Sequence, residues 1–274
     1  MSDALFERLD TGEAGQATVL PTGFSRGPWS PDALHGGPVA ALVAGEAEAL
    51  LATTFEGPYV PTRFTLDLER PVPLAPLTVS SEVVRPGRKV QIVEVTVSDE
   101  SSRRLARGSV LVIRRDRQEL PGDLIGPDDA PPPPPPERPS GFEGWGFPIA
   151  HVAYHQNATE HRLVKGSVGA PGPVVDWIRL VVPVTAGTTP TPFQRVAAAS
   201  DFLNGVSWTL SGADWIFINP DLTVTLHRLP VGDQIAVDAV TRIDPGGTGT
   251  AEADLYDTHG RLGRAVQTLL IEHR

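Results

Sequence analysis

Residues 64–115 read FTLDLERPVPLAPLTVSSEVVRPGRKVQIVEVTVSDESSRRLARGSVLVIRR, and a similar pattern returns at residues 222–274, which read LTVTLHRLPVGDQIAVDAVTRIDPGGTGTAEADLYDTHGRLGRAVQTLLIEHR. Arg70 of the first segment corresponds to Arg228 of the second, at an offset of about 158 residues. Both segments alternate apolar and polar residues in runs bounded by Gly, Pro and Asp, which is typical of antiparallel strands. The chain is therefore predicted to be an internal duplication of one strand-rich unit.

The alternating runs predict three long strands in each copy of this unit. In the first copy they cover residues 79–84, 90–97 and 108–113, and in the second copy residues 234–240, 249–255 and 265–271.

Each group of strands follows one predicted helix. The first, residues 37–52, is rich in Ala, Leu and Glu and has a proline in its first turn, where the missing N–H costs nothing. The second covers residues 192–208. Because both helices are small and largely apolar, we expect each to be wrapped by a curved sheet. The predicted fold is α+β, a double hotdog of two tandem repeats, in which each half needs the other to cover its sheet edge.

A proline-rich spacer separates the two copies. Residues 127–140 read PDDAPPPPPPERPS, with six successive prolines at 131–136. Such a run favours an extended polyproline II conformation, and a linker is preferred here over a ligand for an SH3-type domain. We therefore predict an N-terminal hotdog at 1–120, a linker at 121–141 and a C-terminal hotdog at 142–274.

Composition excludes several functional classes. The 274 residues carry a formal net charge of −10 and include no cysteine, so the chain has no disulfide framework and no thiol nucleophile. Excess negative charge argues against nucleic-acid binding. The start, MSDALFERLD, is unlike a signal peptide, and no apolar run is long enough to span a membrane. We expect a cytoplasmic protein with no membrane association.

His35, Gly36 and Gly37 form the first candidate site, immediately before the first predicted helix. Backbone N–H groups at a helix start are unpaired and lie at the positive end of the dipole, and glycines allow close approach of a ligand carbonyl. The three residues could therefore form an oxyanion or substrate-binding site. They also fit a tight turn in which His35 is a cap or a packing residue.

Asp201 is the second candidate, because its carboxylate interrupts a helix of small apolar residues. An acid on the helix surface, or one that caps a break near Ser200, is the structural alternative. In the repeat, Asp201 corresponds to Ala44, nine residues after His35, so one copy has the glycine turn and the other has the acid. This division predicts one composite site across the repeat interface.

Asn219 and Gln267 complete the set of candidates. Asn219 precedes a predicted strand, and Gln267 interrupts the apolar run AVQTLLI, where its amide could orient a water or a carbonyl. Asn219 also fits a turn residue before Pro220, and Gln267 fits a solvated strand face.

Other clusters support weaker hypotheses. Arg85, Arg88 and Lys89 surround a Pro-Gly turn and could bind phosphates, although a solvated loop explains them as well. The segment HVAYHQNATEH, residues 151–161, has three histidines but no carboxylate that completes a zinc site, which favours a hydrogen-bonding strand face. Asp221, His227 and Ser207 could be assembled into a triad, but the chain has no G-x-S-x-G elbow. Walker A and dinucleotide-binding motifs are absent as well.

Four motifs together resemble the acyl-CoA thioesterase II family: the helix start HGGPVAALV, the helix AAASDFLN and the strands LHRLP and AVQTLLI. The resemblance covers nearly the whole chain and implies a double-hotdog hydrolase of acyl-CoA thioesters. In that family an Asp, a Thr and a Gln orient the attacking water. The Asp and the Gln match Asp201 and Gln267, whereas Asn219 occupies the Thr position. If the alignment slips there, Thr223 or Thr225 would take its place.

The resemblance therefore implies that a water held by Asp201, Asn219 and Gln267 attacks the thioester, with His35, Gly36 and Gly37 at the oxyanion. It implies an acyl-CoA substrate, arginines that meet the CoA phosphates, and no metal or other cofactor. Association into a homo-oligomer is a further possibility. Two alternatives are a non-catalytic acyl-CoA binding protein and a hotdog enoyl-CoA hydratase, although the D-x-N-P-x-H motif of the latter is absent.

Overall fold

The computed structural model describes residues 3–10, 15–121, 130–141, 151–167 and 169–274. Within these residues, 13 strands join into one sheet, and neighbouring strands pair antiparallel throughout the paths of both halves. The predicted strand-rich class is confirmed.

The first half contributes six strands and one long helix. The helix α1 spans Gly36–Thr54, and the strands are β1 (Phe6–Arg8), β2 (Gln16–Pro21), β3 (Tyr59–Leu68), β4 (Leu77–Arg85), β5 (Val90–Ser98) and β6 (Arg104–Arg114). The three strands predicted for this half are β4, β5 and β6, each longer than its alternating core.

The second half repeats this order with one extra short strand. Its helices are α2 (Pro192–Ser200) and α3 (Leu203–Val206), and its strands are β7 (Thr159–Lys165), β8 (Val174–Leu180), β9 (Trp215–Ile218), β10 (Asp221–Leu226), β11 (Gln234–Asp244), β12 (Thr248–Asp257) and β13 (Gly260–His273). The predicted strands of this half are β11, β12 and β13.

The strand order of the sheet has an approximate two-fold symmetry about the antiparallel pair formed by β3 and β10. Its order is β1-β2-β4-β5-β6-β3-β10-β13-β12-β11-β8-β7, so equivalent strands of the two halves stand at equal distances from the centre. At the centre, Thr65 of β3 pairs with Thr223 of β10. Each half therefore completes the open edge of the other, and the double-hotdog prediction is confirmed.

The two long helices lie inside this curved sheet. The segment Val39–Ala44 of α1 is completely buried, and α1 contacts α2 as well as strand β5. Phe64 of β3 meets Phe193 of α2 edge to face, with ring centroids 6.0 Å apart. A shared core thus holds the two halves together, as the apolar character of both helices predicted. Among the helices that the structure describes, none has the length and hydropathy of a membrane-crossing segment.

The second helix differs from its prediction over residues 192–208. The helix α2 ends at Ser200, Asp201 takes the non-helical C-cap conformation (φ −87°, ψ 0°), and the next helix, α3, begins at Leu203. Ser200 is buried and its hydroxyl donates to the carbonyl of Val196, which occupies an acceptor at the end of the helix. The break leaves Asp201 at a helix end, where its side chain can reach across to the first half.

The proline spacer lies against the second half. Its described part, residues 130–141, has no regular secondary structure, and the carbonyl of Pro133 accepts a hydrogen bond from the Trp177 indole at 2.9 Å. Arg162 of β7 donates to the carbonyl of Pro136 at 2.6 Å. Residues 122–129 and 142–150 of the predicted boundary regions lie outside the described residues, and the division at 1–120, 121–141 and 142–274 stays a prediction.

Gly108 of β6 supports the close contact between α1 and the sheet. A methyl group at this position would lie 2.2 Å from Cγ1 of Val43 in α1. We expect Gly108→Ala to lower the free energy of unfolding by about 1–3 kcal/mol, because the rigid core must yield to the added volume. Urea denaturation measures the change, and Ser109→Ala, on the opposite face of the strand, is the control and should shift stability by less than about 0.5 kcal/mol. Equal stability of the two variants would contradict this packing.

Candidate active site

The N-terminus of α1 and the C-terminus of α2 meet where the two halves join. A methyl group at Gly36 would lie 2.6 Å from Oδ2 of Asp201 and 2.8 Å from its Oδ1, closer than a real Cβ ever approaches these atoms. Only glycine therefore lets the carboxylate lie directly against the first turn of α1. The glycine turn and the acid come from different halves, as the repeat predicted.

Asp201 is held by three side chains. Its Oδ1 accepts hydrogen bonds from Nδ2 of Asn219 at 2.8 Å and from Nε2 of Gln267 at 3.0 Å, and its Oδ2 lies 2.8 Å from Nδ1 of His35. Asp201 is 4% exposed and Gln267 is completely buried. The structure thus brings together four of the predicted site residues around one carboxylate.

A hydrogen bond from Asn204 fixes the orientation of the Gln267 side chain. Its Oε1 accepts from the backbone N–H of Asn204 at 3.4 Å, and the Asn204 amide donates to the carbonyl of Phe217 at 3.0 Å. With the oxygen of Gln267 turned toward Asn204, its NH₂ group must point at Asp201. The amide of Gln267 therefore faces inward, and its alternative role on a solvated strand face does not apply.

Nδ1 of His35 has two close partners, the first turn of α1 and Asp201. This nitrogen accepts a hydrogen bond from the backbone N–H of Gly37 at 3.1 Å, which makes His35 the N-cap of α1, and it also lies 2.8 Å from Oδ2 of Asp201. An imidazole nitrogen carries either a lone pair or a hydrogen, so Nδ1 caps α1 in one tautomer and donates to Asp201 in the other. Nε2 is then the ring nitrogen that remains for other partners.

Asn219 lies two residues before the start of β10, and its side chain contacts the Asp201 carboxylate. Its Nδ2 also lies 3.2 Å from the backbone carbonyl of Asp221, which fixes the amide orientation. Thr223 and Thr225 lie farther along β10, in the register that pairs with β3 and β13, and Thr225 is exposed. The residue of this segment whose side chain donates to Asp201 is therefore Asn219.

An aromatic cluster supports the His35 ring. Tyr154 and Phe202 stack on each other with centroids 5.2 Å apart, and each has its centroid 4.9 Å from that of His35. The Tyr154 hydroxyl donates to the carbonyl of Ala198 at 3.0 Å. Burial, reinforced by the negative charge of Asp201, raises the pKa of Tyr154 well above its usual value, so the hydroxyl stays protonated.

Tyr154 also explains the second glycine of the turn. A methyl group at Gly37 would lie 2.7 Å from Cε1 of Tyr154 and 2.9 Å from the carbonyl oxygen of Ala198. Gly36 lines the cavity described below, whereas Gly37 packs against this cluster. Sequence reasoning did not identify Tyr154 or Phe202, because an aromatic residue in an apolar stretch is indistinguishable from any other core residue.

A cavity of about 380 Å³ opens in front of the carboxylate. His35, Gly36, Asp201 and Asn219 form its polar end. Apolar side chains line much of the remaining wall, and they are Trp29, Leu34, Val39, Leu68, Val72, Phe217, Ile218 and Leu270. An apolar cavity with a few converging polar groups is the usual form of a small-molecule site.

Arg85, Arg88 and Lys89 are not part of this cavity. They surround the turn between β4 and β5, where the Tyr59 hydroxyl donates to the carbonyl of Arg88 at 3.4 Å. Tyr59 begins β3 and Leu68, at the other end of the same strand, lines the cavity. At about 3.3 Å per residue, the basic turn lies roughly 30 Å from the cavity.

The three histidines of residues 151–161 do not share a strand face. His155 is buried in a short π-helical turn, Tyr154–Ala158, and only His161 lies in β7. Nδ1 of His161 lies 2.6 Å from the buried Asp176 carboxylate and its Nε2 lies 3.0 Å from the Thr159 hydroxyl. The expected strand face is therefore wrong, because the chain makes an extra turn before β7. Across the described ranges, no group of three metal-ligating side chains comes together.

Two residues of the hypothetical triad are bound to other partners. Asp221 accepts from the backbone N–H of Thr268 at 2.8 Å, and the Ser207 hydroxyl lies 2.8 Å from that of Thr241. Each of the two side chains is used in a structural contact between elements.

Two family models match the sequence. The model of the N-terminal domain of acyl-CoA thioesterases matches residues 25–113, and the model of the C-terminal domain matches residues 127–271. The two matches follow the same order as the two hotdogs. A comparison with curated protein sequences gives no match.

Solved structures with the same architecture match over almost the whole chain. A protein from Novosphingobium aromaticivorans DSM 12444 described as a thioesterase has a TM-score of 0.72 at 18% identity, with 97% of this chain and 98% of that chain covered. A hot dog fold protein of unknown function from Alicyclobacillus acidocaldarius gives 0.69 at 17% identity, with 96% and 95% covered. The acyl-CoA thioesterase II TesB2 from Mycobacterium marinum gives 0.66 at 16% identity, with 97% and 96% covered. These likenesses confirm the fold.

The buried His155, next to Tyr154 in the chain, makes the free energy of unfolding depend on pH. Burial, together with the nearby His35, His161 and His151, lowers the pKa of His155 from 6.5 to about 2. The unfolded chain then binds more protons than the folded one between about pH 6.5 and pH 2, so stability is present above this window and falls as pH decreases through it. We expect a slope of up to about 1.4 kcal/mol per pH unit that His155→Gln removes.

Urea denaturation at a series of pH values between 4 and 7 measures this slope. The exposed His259 provides the matched control, since His259→Gln should keep the slope of the unchanged protein. If His155→Gln keeps the same slope, His155 does not enter the folded state as a neutral ring.

Proposed function

Since the chain belongs to the acyl-CoA thioesterase family, we propose that it hydrolyses its acyl-CoA substrate through a water activated by Asp201, whose carboxylate is held in place by Asn219 and Gln267. The family makes the chain a thioester hydrolase with an acyl-CoA substrate. The observation that carries the residue assignment is the Asp201 carboxylate, which three side chains hold at the polar end of an apolar cavity.

The hydrogen bonds of Asp201 indicate which oxygen meets the water. A carboxylate oxygen can accept about two hydrogen bonds, and Oδ1 already accepts two, from Asn219 and Gln267. Oδ2 has one such contact, with His35, so it retains a lone pair. A water that donates to Oδ2 would lie next to Gly36, because Oδ2 is the atom nearest to the position of its missing Cβ.

The reaction then follows from this placement. The water attacks the thioester carbonyl carbon while Oδ2 of Asp201 accepts its proton, which is general base catalysis. Asn219, Gln267 and His35 hold the carboxylate in one orientation, so that it does not have to reorganise during the reaction. The tetrahedral intermediate collapses with the loss of the CoA thiolate, which takes up a proton, and the free acid is the second product.

The first turn of α1 is suited to the developing oxyanion. The first N–H groups of a helix have no intrahelical acceptor, and the helix dipole places partial positive charge there. Gly36 lines the cavity beside Asp201 and is the backbone donor in the best position, typically worth about 3 kcal/mol per donor. His35 lines the cavity as well and can contact the substrate through Nε2. The acyl chain would occupy the apolar part of the cavity.

A non-catalytic acyl-CoA binding protein is the alternative in another class, supported by the replacement of the family threonine by Asn219. A hotdog enoyl-CoA hydratase is the remaining alternative, and it lacks its usual D-x-N-P-x-H motif. The three functions differ in product: free CoA, a hydrated thioester, or a complex without turnover.

Asp201→Asn tests the assignment of the base. The amide cannot accept the proton of the water, so we expect kcat to fall by about 10²–10⁴-fold while the fold is kept. A chromogenic thiol reagent measures the release of CoA from acyl-CoAs of several chain lengths, without background because the protein has no cysteine. Asp238→Asn, the same change at an exposed position of β11, is the control. A kcat near normal in Asp201→Asn would exclude Asp201 as the base.

Asn219 allows a finer test with a matched pair of variants. A hydroxyl donor can replace the Nδ2 contact with Asp201, so Asn219→Thr should keep kcat within about tenfold. Valine has the shape of threonine but no donor, so Asn219→Val should lose about 10–100-fold more. Steady-state kinetics on one acyl-CoA measures both. Equal rates for Thr and Val would show that the hydrogen bond to Asp201 does not contribute to turnover.

A further inference from the structure

Arg70 is a half-exposed cation at the edge of the cavity that contains Asp201. It follows β3 directly, lines the cavity, and has 47% of its side chain exposed. Its Nη1 donates to the carbonyl of Arg104 at 2.8 Å, which holds the guanidinium in place and leaves other N–H groups of the fork for a further partner.

The internal repeat supplies a comparison for this arginine. Arg228, its counterpart in the second half, donates from Nη1 and Nη2 to the two oxygens of Asp257 at 2.6 and 2.7 Å, and Asp257 is completely buried. Arg228 also donates to a backbone carbonyl, that of Gly260 at 2.8 Å, as Arg70 does to the carbonyl of Arg104. In the second half, therefore, the whole guanidinium has a structural use.

In the first half the corresponding carboxylate does not bind the arginine. It belongs to Asp99, the repeat counterpart of Asp257, in the turn between β5 and β6. Asp99 accepts instead from the backbone of Ser101 and Arg103 and from the Arg103 side chain. The carboxylate nearest to Arg70 is that of Glu69, 3.7 Å away, and Glu69 is bound more closely by Arg104 at 2.8 Å. Two arginines thus share one acid here, so the group of two cations and one carboxylate has a formal charge of about +1, and Glu69 and Arg70 are its members that line the cavity.

A second cation contacts a residue of the cavity wall. The guanidinium of Arg274 lies over the Trp29 indole, 5.6 Å from the ring centroid, and Trp29 lines the cavity. Because the chain as a whole carries a charge of −10, a local pair of arginines is what an anionic ligand requires to approach this opening. A planar guanidinium fork matches phosphate oxygens better than a lysine ammonium does.

We propose that Arg70, assisted by Arg274, binds the phosphate groups of the CoA moiety, while the thioester lies at Asp201. This assignment rests on the proposed thioesterase function and replaces the expectation for Arg85, Arg88 and Lys89, which lie at the far end of β3. Arg70 and Arg274 are binding residues, and they take no part in the attack of the water.

The test compares two substrates with the same acyl group, the CoA thioester and the N-acetylcysteamine thioester, which has no phosphate. For Arg70→Gln we expect the ratio of KM for the CoA thioester to KM for the N-acetylcysteamine thioester to rise about tenfold or more, because a charge-assisted hydrogen bond is lost only with the former. The KM of the CoA thioester should also depend less on ionic strength in the variant. Arg274→Gln should raise the ratio by a smaller factor.

Several outcomes would overturn this assignment. An unchanged ratio in Arg70→Gln, or an equal rise of KM for both substrates, would mean that Arg70 only supports the cavity wall. A rise of the ratio in Arg88→Gln without one in Arg70→Gln would place the phosphates at the β4–β5 turn instead. Thermal unfolding of each variant identifies a change that comes from loss of the fold.

Calorimetric titration with CoA itself separates this inference from the proposed function. If the protein binds CoA and Arg70→Gln weakens this binding about tenfold, the phosphate site stands even when no acyl-CoA is hydrolysed. If acyl-CoA is hydrolysed but the affinity for CoA is the same in the variant, the thioesterase stands and the phosphate site is wrong.

Discussion

The close approach of the Asp201 carboxylate to the backbone of Gly36 is the constraint on which the rest of the site depends. It requires a helix that ends at Asp201, a second helix that begins with a residue lacking Cβ, and a sheet that joins the two halves so that these helix ends meet. The antiparallel pairing of β3 with β10 supplies the last condition. Neither hotdog could build this arrangement by itself, since the acid and the helix start belong to different halves.

The duplication is symmetric in its sheet and asymmetric in its chemistry. At the opposite end of the helix pair, a methyl group at Gly45 would lie 2.2 Å from Nε2 of Gln194, so a neutral amide fills the space beside the helix there. Thr191 and Gln194 form a capping box at the start of α2, and the Thr191 hydroxyl donates to Glu48. Burial raises the pKa of Glu48 to about 7, and the bond from Thr191 opposes this shift. One helix contact thus carries the Asp201 carboxyl group at the cavity, and the other is closed by helix-capping interactions.

Much of this arrangement could be predicted because it follows from periodicity and from the repeat. Alternating residues specify strands whatever their partners, and the alignment of the copies identified Asp201 and His35 as complementary halves of one site. The break after Ser200 was missed, since local propensity favours a continuous helix through small residues. The aromatic support by Tyr154 and the open fork of Arg70 were missed as well. Both depend on which side chains, far apart in sequence, meet in the folded chain.

The sequence by itself determined the double hotdog, the duplicated order of its elements and the identity of the polar residues out of place in apolar surroundings. Patterns of period 2 and 3.6 carry this information locally, and a repeat carries it twice. Only the tertiary structure decided that Oδ1 of Asp201 is saturated while Oδ2 is not, and that Arg228 is paired while Arg70 is open to the cavity. These differences arise because hydrogen-bond and charge partners are assigned by distance in space, and closure of the sheet at β3 and β10 sets those distances.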